Sequence, residues 1–157
     1  MDLLVALGIS IGVLIAGWVY VALAMPDLHL VVWAGVIAWG TFYATGGGMA
    51  GLQKAIASNL SGNLWAAVAL LVFAKVGGGN VAVLAALVGV ISVVMCVQAK
   101  VAILSFIPGA FLGAGTWVGA SGGGLDAPNL MICVSLVAGA VLGYASEVVG
   151  KKMAGAS

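Results

Sequence analysis

The sequence predicts an all-α polytopic membrane protein of six transmembrane helices, and three observations carry that prediction. First, 64% of the 157 residues are hydrophobic and 6% are charged, with a mean hydropathy of +1.31. A soluble domain carries about a quarter charged residues, so the chain lacks the surface that water requires. Second, a spanning helix needs about 20 apolar residues, and six would consume nearly the whole chain. Third, the few charges fall where six spans would end. A cytosolic enzyme, a nucleic-acid binder and a disordered regulator are excluded. A net charge of +1 with no arginine also leaves little for phosphate recognition.

The spans follow in order as one transmembrane domain, about residues 3–25, 30–46, 55–74, 81–98, 101–120 and 129–149. Asp2 precedes the uncharged run Leu3–Met25. Ala22-Leu23-Ala24 has the look of a signal-peptidase site, but no positive region precedes it and the run is too long, which favours an uncleaved helix. Pro26, Asp27 and His29 make a turn before the second run. Lys54 opens the third, which closes at Lys75 and Gly77–Asn80. Gln98 and Lys100 close the fourth; Pro108 interrupts the fifth and is expected to kink it, before Gly122–Gly124 and Asp126 end it. Lys151 and Lys152 follow the sixth. Lys54, Lys100, Lys151 and Lys152 then share a side with both termini, which the positive-inside rule makes cytoplasmic.

Two halves, 1–76 and 77–151, carry similar punctuation. Gly40-Thr41-Phe42 with Gly47-Gly48 recurs as Gly115-Thr116-Trp117 with Gly122-Gly123, 75 residues on. Three spans per half would invert one copy relative to the other, an arrangement found in transporters and channels. Glycine-rich turns also recur simply because they end helices, and both readings stand. Small residues four apart (Gly8/Gly12, Ala34/Ala38, Gly109/Gly113, Gly139/Gly143) mark faces for close helix contact, within one chain or between copies. A homo-oligomer fits a chain this small.

The third segment begins with Gln53, Lys54, Ser58, Asn59, Ser61 and Asn63. Amides and hydroxyls facing lipid are costly, so these residues line a broken or re-entrant segment, or form an interfacial turn before a helix starting near Gly62. No nucleophile–base set, metal cluster or phosphate loop is present, and no cofactor or enzyme activity is expected. His29 beside Asp27 reads as a solvated turn rather than a pH sensor. Cys96 and Cys133 lie toward opposite membrane faces, too far apart for a disulfide. Glu147 and Lys151, four apart, form a surface pair.

The stretch Met95-Cys96-Val97-Gln98-Ala99-Lys100 with Leu104-Ser105-Phe106-Ile107-Pro108-Gly109 resembles the YcdZ-like family (DUF1097 type) of small bacterial inner-membrane proteins. Leu60-Ser61-Gly62 with Trp65-Ala66, and Gly143-Tyr144-Ala145, fit the same family. Members carry Cys-Pro-Gln-Gly-Gly after the second helix, where this chain has Ala44-Thr45-Gly46-Gly47-Gly48. The resemblance implies a bacterial inner membrane and supplies no substrate or catalytic residue. The functional expectation is a channel or facilitator for a small, uncharged polar solute, lined by Thr41, Phe42, Tyr43, Thr45, Asn59, Asn63, Pro108, Thr116 and Trp117. Phe42 and Trp117 would narrow the path from opposite halves, unless they are interfacial anchors. The alternative is a non-transporting membrane subunit that docks a partner protein.

Overall fold

The computed structural model describes residues 1–121 and 127–155, and the described residues are helical with short connections. Six α-helices succeed one another: α1 Leu3–Ala24, α2 Val32–Ala44, α3 Gly48–Val76, α4 Val81–Val97, α5 Ile107–Ser121 and α6 Ala127–Ala154. Short 3-10 turns occupy Pro26–Leu28, Gln98–Lys100 and Ala102–Leu104. Asp2 starts α1 by accepting the amides of Leu4 and Val5 at 2.9 and 3.2 Å, and Asn80 starts α4 through Ala82 at 2.8 Å. Both satisfy amides that a first helical turn leaves free. The expected closing residues Gly122–Gly124 and Asp126 lie outside the described residues.

Among the described residues, four helices are long and apolar enough to cross a membrane: Leu3–Ala24, Gly48–Val76, Val81–Lys100 and Asn129–Ala154. The other two are short. α2 has 13 residues and α5 has 15, or about 20 and 22 Å at 1.5 Å per residue, against a hydrocarbon core of about 30 Å.

Two sequence expectations are corrected. Pro108 does not kink the fifth helix; it is the second residue of α5, where its missing amide would have had no partner anyway. The third segment is not broken, and no separate turn precedes a helix starting near Gly62. It is one 29-residue helix that begins at Gly48 rather than near residue 55, so its polar residues lie on a continuous helix.

The packing inverts the habit of soluble proteins. The core is Ala34, Ala38, Phe42, Ala55, Ala66, Trp117, Ile132, Leu136 and Ala140, while Leu4, Tyr20 and Val81 are each more than 70% exposed. Lipid tails are as apolar as leucine, so burying large side chains gains little and close backbone contact decides the packing. α2 packs chiefly on α6, and α5 chiefly on α3. Within each pair the helices run in the same direction. Val31 N meets Ser135 Oγ at one end of α2 and Gly48 N meets Glu147 Oε2 just beyond the other. Likewise Gly109 lies against Ser58, with Ala110 and Ala114 against Gly62.

Glycine makes both crossings feasible. A Cβ on Gly62, at the centre of α3, would overlap the carbonyl of Ala110. One on Gly139, near the centre of α6, would overlap the carbonyl of Gly35. Gly113 is pressed against Asn59 in the same way. Of the small-residue faces, Ala34/Ala38, Gly109/Gly113 and Gly139/Gly143 are therefore used inside the chain. Gly8 and Gly12 are not: nothing lies within 4 Å of where a Cβ would stand.

Gly62→Ala and Gly139→Ala each destabilise the fold by about 1–3 kcal/mol, because backbone on both sides must separate. Gly12→Ala leaves stability unchanged or slightly improved. Thermal unfolding in detergent separates the two classes, and equal midpoints for all three variants would contradict these crossings.

Candidate functional site

The centre of α3 carries a row of polar side chains that the short helices cover. Ser58 and Asn59 have no accessible surface and Asn63 has 2%. They are drawn inward because Gly113 lies on the Asn59 backbone and Gly109 on Ser58 Cβ. The Thr41 hydroxyl from α2 stands 3.5 Å from Asn59 Oδ1. Its single hydrogen, however, is directed to the Ile37 carbonyl at 2.9 Å. That leaves the contact with Asn59 weak. Asn63 donates from Nδ2 to the Cys133 thiol on α6 at 3.4 Å.

Three polar atoms in this row have no hydrogen-bond partner: Ser58 Oγ, Asn59 Nδ2 and Asn63 Oδ1. Each such group in an apolar interior costs about 1–3 kcal/mol. Together they offer at least one donor, one acceptor and one hydroxyl that is both. Nothing charged accompanies them in the row. Chemically, the arrangement can hold a small neutral molecule that donates and accepts hydrogen bonds.

A second polar network sits where α1, α2 and α6 converge. Ser146 Oγ takes the indole hydrogen of Trp39 at 3.1 Å, lies 2.8 Å from the Tyr43 hydroxyl, and donates to the Gly143 carbonyl at 2.6 Å. Ser10 of α1 donates to the Ser146 carbonyl at 2.7 Å. At the next residue, Glu147 Oε2 accepts from Gly48 N and Oε1 from Lys151 Nζ, both at 2.7 Å. The surface pair with Lys151 is present, but Glu147 is 9% exposed and also caps α3 across the bundle. A carboxylate suits that helix end, where amides point outward unpaired. Gly47 makes room for it: its φ is +69°, and a Cβ there would meet Glu147 Oε1 at 2.8 Å.

The residues expected to line a path are thus divided. Thr41, Asn59 and Asn63 come together around α3, and Trp117 borders one cleft with Asn63. Phe42 is fully buried in the same core cluster as Trp117, edge-on to Tyr43 and Tyr144 at centroid distances of 5.1 and 6.2 Å. Tyr43 belongs to the Ser146 network. Thr45 closes the α2–α3 turn through the Phe42 and Gly51 carbonyls at 2.8 and 2.9 Å. Thr116 is buried on α5, bonded to Leu112 O at 2.6 Å. Pro108 is exposed at the start of α5.

Sequence reasoning named Ser58 among the polar residues of the third segment but not as part of the site, and passed over Ser135, Ser146 and the partner of Gln98. A signal for Ser58 and Ser135 existed: Ser58-x-x-x-Gly62 and Ser135-x-x-x-Gly139 repeat one pattern. Gln98 bridges α4 to α3, accepting from Trp65 Nε1 at 2.9 Å and donating to Ser61 Oγ at 3.0 Å. Ser146→Ala strips partners from Trp39 and Tyr43 and lowers stability by about 1–3 kcal/mol. Ser92→Ala, whose hydroxyl bonds only its own helix at Val88, costs far less. Thermal unfolding of the two variants checks this, and equal losses would count against the network.

A family model described as a protein of unknown function (DUF1097) matches residues 8–151. Inner membrane protein YcdZ of Escherichia coli (strain K12) is 33% identical over 150 residues, covering 94% of this chain and 85% of the relative. Its counterpart in Salmonella typhimurium is 32% identical, with 94% and 87% covered. The uncharacterized protein YahC of Escherichia coli (strain K12) is 33% identical over 165 residues, with 100% and 96% covered. No solved structure matches the chain. Two of the stretches that carry this likeness touch in space, since Gln98 bonds Ser61 and Trp65. With a membrane-helical fold and this similarity along nearly its whole length, the chain belongs to the DUF1097 family, an inner-membrane protein of unknown function.

Proposed function

We propose that the protein is a non-enzymatic facilitator for small, uncharged polar solutes, built of two inverted three-helix halves with both termini cytoplasmic. In this reading α2 and α5 correspond, as do α3 and α6. The pairing of α2 with α6 and of α5 with α3 supports it. So does the spacing of matched residues. Gly35 and Ala110, each at its pair's closest crossing, are 75 residues apart, as are Thr41 and Thr116. Both threonines bond the carbonyl four residues back. Ser58 and Ser135, and Gly62 and Gly139, are each 77 apart. Two unusually short helices at matched positions are a pointer to a transporter's binding site.

The observation that carries the function is where the halves differ. By the 77-residue spacing, α6 has Leu136 and Ala140 where α3 has Asn59 and Asn63. All four positions are buried. On this correspondence the α6 side meets its packing with apolar residues, which supports a further task for the two amides. An intramembrane polar residue is costly and is kept for function. The absence of a carboxylate in the row favours passive movement of a neutral solute. In this reading Phe42 and Trp117, both packed in the core cluster, are the residues that would have to part for a solute to pass.

A second reading, a subunit that docks a partner, draws on the contact-free Gly8–Gly12 face of α1. Flux distinguishes the two. Proteoliposomes bearing the protein take up water, urea or glycerol faster than empty ones, and Asn59→Leu lowers that gain by about tenfold, roughly the worth of one lost hydrogen bond to the solute. Leu136→Ala does not lower it comparably. Uptake equal to empty liposomes for every solute would overturn the proposal in favour of the docking subunit.

A further inference from the structure

We infer that Glu147 is a proton-operated clasp that holds the start of α3 against α6 and lets the two helices part at that end when its charge is lost. The turn beside it has the build of a hinge. Gly46, Gly47 and Gly48 have φ of +96°, +69° and +64°. Three left-handed glycines in succession bring no side chain to brace the turn, and hinges are a few residues that absorb large backbone changes. Thr45 bonds only the ends of α2 and α3, through the Phe42 and Gly51 carbonyls. What ties the turn to α6 is the bond from Gly48 N to Glu147 Oε2 at 2.7 Å.

Helices α1 and α4 take their caps from the preceding residue, Asp2 and Asn80. The cap position of α3 is Gly47, which has no side chain, so α6 supplies the cap from 99 residues away. That bond depends on charge. An ionised carboxylate is attracted both to the helix start and to Lys151; a protonated one is attracted to neither as an ion. Lys151 is half exposed and can turn to water, so protonation strands no buried cation. The other groups around Glu147 do not replace its charge. From α2 comes the neutral Tyr43 hydroxyl, from α3 the Gly48 amide with Lys54 six residues further on, and from α1 apolar Leu7, five residues beyond Asp2. The clasp therefore holds at neutral pH and weakens as pH falls. When it opens, α2 and α1 stay with α6, because Trp39 and Tyr43 bond Ser146 Oγ and Ser10 bonds the Ser146 carbonyl. The start of α3 swings away about the glycines, while its contact from Asn63 to Cys133 lies further along the seam. The inference concerns helix movement and stands whether or not a solute passes.

The test measures distances between spin labels on the full chain in nanodiscs, with Cys96→Ser and Cys133→Ser removing the native thiols. One pair spans the clasp, Met49→Cys with Met153→Cys, both at exposed positions. A control pair, Leu4→Cys with Met153→Cys, spans α1 and α6. Double electron–electron resonance is recorded from about pH 8 down to about pH 3.5, below the ordinary glutamate pKa of about 4.3. The clasp pair lengthens reversibly by several ångströms on acidification, and the control pair does not. In Glu147→Gln protein the clasp pair is long at both ends of the range. A clasp pair that stays put on acidification overturns the inference, as does lengthening of both pairs together, which is general loosening. So does a folded Glu147→Gln protein that keeps the short distance or still responds to pH. The two-pair comparison in protein that retains Glu147 decides the matter even where the glutamine variant does not fold.

Discussion

Backbone-to-backbone contact at two glycines is the constraint on which the rest of this structure depends. In lipid there is no hydrophobic gain from pressing one helix on another, so association relies on close packing and hydrogen bonds. Gly62 against Ala110 and Gly139 against Gly35 supply that proximity. The short helices α2 and α5 are held alongside α6 and α3 as a consequence. Several of the buried polar residues lie beside these crossings: Ser58 and Asn59 beneath α5, Ser135 and Ser146 beneath α2 and its flanks.

The two interiors are used differently. Around Ser146 every hydroxyl and indole has a partner, and the network joins α1, α2 and α6 into one body. Around Asn59 the polar atoms outnumber their partners. Saturated networks stiffen a fold, whereas unsaturated ones cost stability unless something else fills them. α4 belongs to neither interior. Met95 is its buried residue, and Gln98 anchors its far end through Ser61 and Trp65. The residues of family likeness on α3 and after α4 thus form one structural clasp.

Much of the fold was legible because membrane helices announce themselves by length and by their flanking charges. α1 and α4 fall within a residue of their expected bounds, each started by a side-chain cap that the sequence displays as Asp2 and Asn80. α3 was harder. Its first two turns carry glycine, glutamine and lysine, the composition of an interfacial turn, and part of what holds their start is tertiary: Glu147, 99 residues away, caps the amide of Gly48. The fifth segment was misjudged for a local reason, since a proline reads alike as a kink or a start until the preceding residues are known to be 3-10 turn. Of the site, Thr41, Asn59 and Asn63 were visible as costly polar residues in an apolar run. The burial of Phe42 was not, because an aromatic near a helix end looks the same whether it faces a passage, an interface or a neighbouring helix.

The account turns on the unpartnered amides at the centre of α3 receiving a guest from outside the chain. A high-resolution structure determined in a lipid bilayer tests this most directly. It is predicted to contain ordered non-protein density within hydrogen-bond distance of Asn59 Nδ2, with α5 still crossing at Gly62 and Gly113. An α3 rotated so that Asn59 and Asn63 are both fully bonded to other protein groups, with no density between them, would contradict it.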